Sequence, residues 1–258
     1  MIMAAAARRL GVLLLVAAGA STAARAQQEL RVAAASDLQA ALPAIAAEFE
    51  RETGQRVALT FGSSGNFATQ IENGAPFDVF MSADIEYPKR LEQAGLAERA
   101  SLYEYATGRL VLWTRNDSGI DVGAGLGVLA DARVRRIALA NPAHAPYGRA
   151  AAAAIRHEGL YDRVRAKFVL GENIAQAAQF AQSGNADVGL IALALATTRP
   201  LEGAGSYVEV PAAFYPAIEQ AAVVIAASKQ KPSALRFVDS LKRPAVKAIL
   251  RSYGFAVR

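Results

Sequence analysis

Ala33-Ala34-Ala35-Ser36-Asp37-Leu38 is the stretch on which the reading of the fold turns. The apolar run that leads into it from Leu30 reads as a β-strand. Beyond it Leu38, Leu42, Ile45 and Phe49 recur at four- and three-residue steps, with Glu48, Glu50 and Arg51 on the other faces. That spacing predicts an amphipathic helix, stopped by Gly54. The junction is built from small residues, which let backbone come close to a ligand, and from a serine at a helix start. The first turn of a helix carries N–H groups without intrahelical partners and a partial positive charge, so Ser36 is placed to hold an anion. Taken alone, Ser36 or Asp37 is more simply an ordinary cap.

The same junction returns three times. Residues 57–61 form a second strand that opens onto Gly62-Ser63-Ser64-Gly65-Asn66 and a helix carrying Phe67 and Ile71, stopped by Asn73-Gly74. Residues 77–81 form a third strand, followed by Ser82 or Asp84 as a cap and a helix carrying Tyr87 and Leu91 up to Gly95. This βαβαβα order predicts a parallel sheet. Strands at 110–114 and 136–140 begin a second α/β unit. The latter opens onto Asn141-Pro142-Ala143-His144-Ala145-Pro146-Tyr147-Gly148 and an alanine-rich helix to about His157. Residues 168–170 lead into Gly171-Glu172-Asn173-Ile174 and a helix ended by Ser183-Gly184. Residues 186–191, 207–210 and 221–226 read as further strands, and 234–241 and 246–250 as helices parted at Pro244.

The expected architecture is an α/β protein of two lobes: 27–106 in the first, 107–216 in the second and 217–258 returning to the first. Loose stretches at 105–109 and 214–220 mark the two crossings. In open α/β sheets the ligand crevice lies outside the carboxyl ends of the strands. The turns Ser36-Asp37, Ser63-Ser64, Pro146-Tyr147-Gly148 and Asn173-Ile174, two from each lobe, can therefore face one cleft. Such a cleft offers backbone N–H groups, hydroxyls and helix dipoles with little formal charge, which suits a small oxyanion.

Composition narrows the classes. Arg8 and Arg9, the apolar run 10–20 and the small-residue site Ala24-Arg25-Ala26 read as a secretory signal over residues 1–26, cleaved after Ala26. No later segment offers an uninterrupted apolar run of about twenty residues, so an exported, periplasmic protein is expected. Losing Arg8, Arg9 and Arg25 and no acids lowers the 28 basic residues to 25 against 23 acidic ones, a net charge of +2 rather than +5. No cluster of Lys and Arg interleaved with aromatics points to nucleic acid. The chain has no cysteine, which excludes disulfides, thiolate metal sites and a lipid anchor on cysteine. The acids and the two histidines show no metal-ligand spacing, so no directly ligated metal and no cofactor is expected.

Other readings are weaker. Ser64, His144 and Asp78 could be drawn as a hydrolase triad, but Gly62-Ser63-Ser64-Gly65-Asn66 lacks the second glycine of a nucleophile elbow, and His144 reads as structural. Gly123-Ala124-Gly125-Leu126-Gly127 misplaces the last glycine of a dinucleotide fingerprint and reads as an ordinary loop.

Several stretches together resemble the periplasmic molybdate-binding proteins of ABC importers over nearly all of the chain beyond the leader. They are the segment 33–38, Phe61-Gly62-Ser63-Ser64, the run Gly74-Ala75-Pro76-Phe77-Asp78-Val79-Phe80-Met81-Ser82-Ala83-Asp84, the segment 141–148 and Tyr253-Gly254-Phe255. The resemblance implies a two-lobe type II periplasmic-binding-protein fold that closes on molybdate or tungstate as a monomer and hands it to an inner-membrane ABC permease. Sulfate or phosphate is the alternative ligand, and a secreted serine hydrolase the more distant one. Carried over by position, Ser36 and Ser64 are the ligand serines, acting through hydroxyl and N–H, and Tyr147 and Ile174 present backbone N–H groups from the second lobe. The metal of the anion has no direct protein ligand. Some members place a tyrosine hydroxyl on the anion after the strand that is here 188–191, where this chain has Ala192. The Tyr147 ring or hydroxyl, with the Asp37 N–H, is expected to fill part of that gap. The Asp37 carboxylate is expected to turn away and serve the helix start, since pointed inward it would favour a protonated ligand such as hydrogen phosphate. Selectivity over sulfate is expected from cavity size.

Overall fold

The computed structural model describes residues 29–257, so the leader read over 1–26 lies outside the described residues. Strand β1 (Leu30–Ala35) runs into a short 3₁₀ turn, Ser36–Gln39, before helix α1 (Leu42–Thr53). The single helix expected from Leu38 is thus split. Pro43 sits in the first turn of α1, where its missing N–H and fixed φ are tolerated, and this starts the regular helix at Leu42. Gly54 ends it at φ +70°, a left-handed conformation that side chains disfavour.

β2 (Val57–Gly62), α2 (Ser64–Glu72), β3 (Val79–Ser82) and α3 (Glu86–Gln93) complete the first three units, and β2 and β3 flank β1 in parallel. β4 (Tyr103–Gly108) follows, and after Arg109 alone the chain enters β5 (Leu110–Arg115) in a different sheet. A kinked pair of 3₁₀ turns over Val122–Ala130 then replaces the expected loop, with the break at Gly125. The second unit continues as β6 (Ile137–Ala140), α4 (Pro146–His157), α5 (Tyr161–Val164), β7 (Phe168–Gly171), α6 (Ile174–Gln182), β8 (Val188–Ala192), α7 (Leu193–Ala196) and β9 (Gly205–Glu209). The chain returns through β10 (Ile218–Val224), α8 (Lys231–Ser240) and α9 (Pro244–Ser252).

The strands form two five-stranded sheets, ordered β2-β1-β3-β10-β4 and β7-β6-β8-β5-β9. β10 lies antiparallel between β3 and β4, so residues from late in the chain sit in the middle of the first sheet. The stretch expected to be a loose crossing at 105–109 is therefore strand through Gly108, and the one at 214–220 becomes strand from Ile218 onward. Tyr105 and Ala106 are buried against the first sheet, and their only strand partner comes more than a hundred residues later.

Each sheet is covered by helices. Leu30, Val32, Ile45 and Phe49 pack with Phe237 of α8 on one face of the first sheet, the two phenyl rings meeting edge to face at 5.1 Å. Phe67, Ile71, Phe80 and Leu91 fill its other face. The second sheet has its own core around Leu112, Trp113, Ile137, Leu139 and Val188. At roughly 1.5–3 kcal/mol per fully buried large side chain, each lobe has the means to hold its strand ends rigidly without disulfides.

Candidate anion-binding site

The carboxyl ends of β1, β2, β3, β6 and β7 converge on one small cavity between the two sheets, with a volume of about 10 Å³ in this closed form. Ser36, Ser64, Tyr147, Ile174 and Asp37 all line it, and all are buried. The structure thus brings together the five residues expected to hold the ligand. Among the described residues, no lysine, arginine or histidine lines the cavity.

The local chemistry is that of donors left open. Ser64 Oγ accepts from the Ala83 N–H at 3.0 Å, which uses an oxygen lone pair and leaves its hydroxyl hydrogen for a ligand. Neither α2 nor α4 has a side-chain cap at its N-terminus, so the first-turn amides at Ser64 and Tyr147 are not taken by a capping oxygen. α6 differs: Asn173 Oδ1 caps it by accepting from the Ala175 and Gln176 N–H groups at 3.1 Å each. The amide of Ile174, one residue earlier, lies outside that cap. Ser36 Oγ donates to the same Asn173 Oδ1 at 3.1 Å and accepts from the Ala175 N–H at 3.3 Å. Ser36 therefore has to turn its hydroxyl from Asn173 to serve a ligand.

The seam around the cavity is stitched by hydrogen bonds from one lobe to the other. Gly65 N–H and Ser63 Oγ both donate to the His144 carbonyl, at 3.0 and 2.8 Å, and the His144 Nδ1 meets Ser63 Oγ at 2.9 Å. Arg149 of α4 pairs with Asp84 and donates to the Tyr87 hydroxyl at 3.0 Å, both on the first lobe. Asn66 Nδ2 donates to Glu172 Oε1 at 3.2 Å. The lobes are closed. His144 is structural as expected, but its task is to join the lobes, which its place in a loop beside prolines did not announce. Arg149 was missed for the same reason: its partners Asp84 and Tyr87 are 65 and 62 residues away.

The hydrolase constellation does not assemble. The His144 ring meets Ser63 and not Ser64, while Asp78 sits before β3, accepting from Arg31 N–H and Ser228 Oγ. Ala83, which binds Ser64, lies beyond the other end of that strand, roughly 16 Å along an extended chain. No group of three or more His, Cys, Asp or Glu able to hold a metal occurs among the described residues.

Two expectations are corrected. Tyr147 does not offer its hydroxyl to the cavity, because that hydroxyl donates to Asp37 Oδ2 at 3.0 Å. Nor does Asp37 turn away to serve the helix start alone, although the Asp37 and Leu38 backbone N–H groups there do favour its charged carboxylate. It is fully buried, lines the cavity and reaches across the seam, with Gln220 Nε2 of β10 donating to the same Oδ2 at 2.5 Å. Tyr105 in turn donates to Gln220 Oε1 at 2.8 Å. Gln220 and Tyr105 escape a sequence reading because they occupy ordinary strand positions far from Asp37 in the chain. Ala192 is buried at the N-terminus of α7 and supplies no side-chain donor.

Burial pushes the Asp37 carboxyl up to about 6 from its usual 3.8, against the opposing pull of the Gln220 amide and the Tyr147 hydroxyl. Burial also raises both Tyr147 and Tyr105 well above 10, with the Asp37 charge adding to the shift. A folded-state value above the unfolded one means the folded protein binds the proton more tightly. The associated stability is fully present below the unfolded value of 3.8 and is lost as pH rises through 6. The ligand-free protein is therefore expected to lose roughly 1–2 kcal/mol at this residue between pH 5 and pH 7.5. Denaturant melts at the two pH values should show that loss shrinking by the same amount in Asp37→Asn, and an unchanged slope in the variant would assign the pH dependence elsewhere.

Comparison with known proteins agrees with this architecture. The family model for bacterial extracellular solute-binding proteins matches residues 30–256. The molybdate-binding protein ModA of Azotobacter vinelandii is 38% identical over 247 residues, covering 95% of this chain and 97% of that one. ModA of Rhodobacter capsulatus is 37% identical over 227 residues, covering 88% of each. The solved structure of the Azotobacter vinelandii periplasmic molybdate-binding protein superposes with a TM-score of 0.84 at 36% identity, covering 89% of this chain and all of that one. With the paired sheets, the strand-end cavity and the lobe-to-lobe seam, these likenesses place the chain in the bacterial extracellular solute-binding protein family, among the two-lobed periplasmic molybdate-binding proteins.

Proposed function

We propose that this protein captures molybdate, and tungstate equally by charge and shape, between its two lobes outside the cytoplasm and delivers the closed complex to an inner-membrane ABC permease. The observation that carries the reading is the convergence of five strand ends from both lobes on one small buried cavity whose donors are hydroxyls and uncapped helix amides, with no cationic side chain. Relatives of similar length that carry the name molybdate-binding protein support the choice among oxyanions.

In this reading Ser36 and Ser64 donate through hydroxyl and N–H, and Tyr147 and Ile174 through N–H alone, all to oxygens of the anion. The Asp37 N–H is a further donor. A ligand shifts an equilibrium only through contacts that differ between the states. Donors from both lobes therefore make the anion itself the agent that favours closure, and the closed surface is what a permease recognises. The role is binding without chemical change, by a monomer whose first lobe, expected over 27–106 and 217–258, takes in β4 through Gly108, and whose second runs from there to 216. No described helix is long and apolar enough to cross a membrane, in keeping with a protein that meets its permease from outside.

Sulfate has the same charge and shorter bonds to oxygen, so a cavity of fixed size is what separates it from molybdate and tungstate. Titration calorimetry of residues 27–258 with molybdate, tungstate, sulfate and phosphate tests this directly. Tight binding of the first two with weak or absent binding of sulfate and phosphate is expected. Preference for sulfate or phosphate would transfer the protein to another importer, and silence with all four would end the oxyanion reading.

A further inference from the structure

The cavity holds a feature that an anion site would be expected to lack: a carboxylate with no cation beside it. Asp37 lines the same small space as Ser36, Ser64, Tyr147 and Ile174, and is completely shielded from solvent. Its two oxygens are treated differently. Oδ2 receives the Tyr147 hydroxyl and the Gln220 amide, whereas Oδ1 is buried without a well-formed hydrogen bond, although the Asp37 and Leu38 backbone N–H groups still favour the charged carboxylate. The side chains that face the carboxyl group are Tyr147 from α4 and Gln220 from β10, with Tyr105 of β4 near enough to feel the Asp37 charge, and no lysine, arginine or histidine lines the cavity beside it among the described residues. Tyr215 faces Tyr147 from the segment before β10.

Resting on the oxyanion reading above, we propose that the dianion enters this cavity together with one proton, which is taken up from solvent on Asp37 Oδ1, so that the bound state holds a neutral aspartic acid beside the anion. The balance is simple: Asp37 carboxylate plus a proton gives the acid, one O–H bond forms, and no other bond is made or broken. An ionised Asp37 beside a dianion would concentrate three negative charges in a desolvated space without a counter-ion, which the low local dielectric makes costly. Protonation removes one of them at the oxygen that has no well-formed hydrogen bond to lose. The contact that joins the lobes survives, because Oδ2 keeps both of its donors. The ligand-free group is already poised for the change, since burial alone brings it up to about 6. Reciprocity then requires that the anion raise the proton affinity of Asp37 by the same factor by which the proton raises the affinity for the anion.

Calorimetric titration of the protein with sodium molybdate at pH 7, in buffers of widely different ionisation enthalpy and free of phosphate and sulfate, reads the proton directly. The observed enthalpy should vary with buffer ionisation enthalpy with a slope near one proton taken up, and in Asp37→Asn the slope should fall to zero. In the wild type the affinity should weaken by up to tenfold per pH unit as pH rises above about 6, a reading that does not need the variant to fold. Normal molybdate binding with a buffer-independent enthalpy and a flat pH profile from 6 to 8.5 would overturn the proposal while leaving the oxyanion reading intact. Absence of binding with molybdate and tungstate in every buffer would overturn both.

Discussion

Replacing both cavity serines, Ser36→Ala with Ser64→Ala, is expected to weaken molybdate binding by about 3–6 kcal/mol, roughly a hundred- to ten-thousandfold in Kd, because two charge-assisted donors are lost at about 1.5–3 kcal/mol each. The two serines should not contribute equally. Ser64 Oγ accepts from the Ala83 N–H and has its hydrogen free, so its donor is preorganised. Ser36 has to release Asn173 Oδ1 before it can donate to the anion, and that exchange offsets part of its gain. Ser64→Ala alone should therefore cost more affinity than Ser36→Ala alone. The fold should persist, with stability lowered by about 1–3 kcal/mol because the buried Ala83 N–H loses its acceptor. Titration calorimetry gives the affinities and thermal melting by circular dichroism the fold. Wild-type affinity in the folded double variant would move the ligand out of this cavity.

Why Ser64 could be found in the sequence and Gln220 could not is a matter of range. Strand-to-helix junctions are local: small or capping residues and the onset of a 3.6-residue period occur within a few positions, so the four turns stand out without knowledge of the fold, whereas the choice of Ser36, Ser64, Tyr147 and Ile174 within them rests on the family resemblance. The parallel βαβ units follow from the same local alternation. The central antiparallel strand does not, because β10 pairs with β3 and β4 from far along the chain and carries a polar residue, Gln220, facing the buried interior. Asp37 shows the limit most clearly. An acid in the first turn of a helix has an obvious local use, and only the tertiary placement of Tyr147 and Gln220 gives it a different one. The same holds for α7, whose four residues Leu193–Ala196 are all buried and so present no amphipathic period to read.

Gly65→Leu should prevent closure and with it lose the donors of the second lobe, at about 3–6 kcal/mol if the Tyr147 and Ile174 amides are worth what charged hydrogen bonds usually are. Gly65 lies in the first turn of α2, on the face that meets the other lobe. Its N–H donates to the His144 carbonyl at 3.0 Å, and a Cβ placed on it would stand 2.6 Å from that same oxygen and 2.9 Å from the His144 Cβ. Within its own lobe the Tyr87 hydroxyl stands at 2.7 Å, the far end of a side chain that can swing aside. Two of these three closest approaches lie across the seam, so an open form relieves them for leucine, a residue that helices favour, and the closed form does not. Gly65→Ala should be milder, since relieving one misplaced carbon in a packed contact costs about 1–3 kcal/mol. The serines of the first lobe remain in place in both variants, so residual weak binding should survive in Gly65→Leu and disappear only when Ser64→Ala is added. Small-angle scattering with and without saturating molybdate reads closure independently of affinity. Wild-type protein should stay in its compact form with ligand, and Gly65→Leu should keep a larger radius of gyration under both conditions. A Gly65→Leu variant that binds tightly and matches the compact form would show that capture does not depend on bringing these two surfaces together.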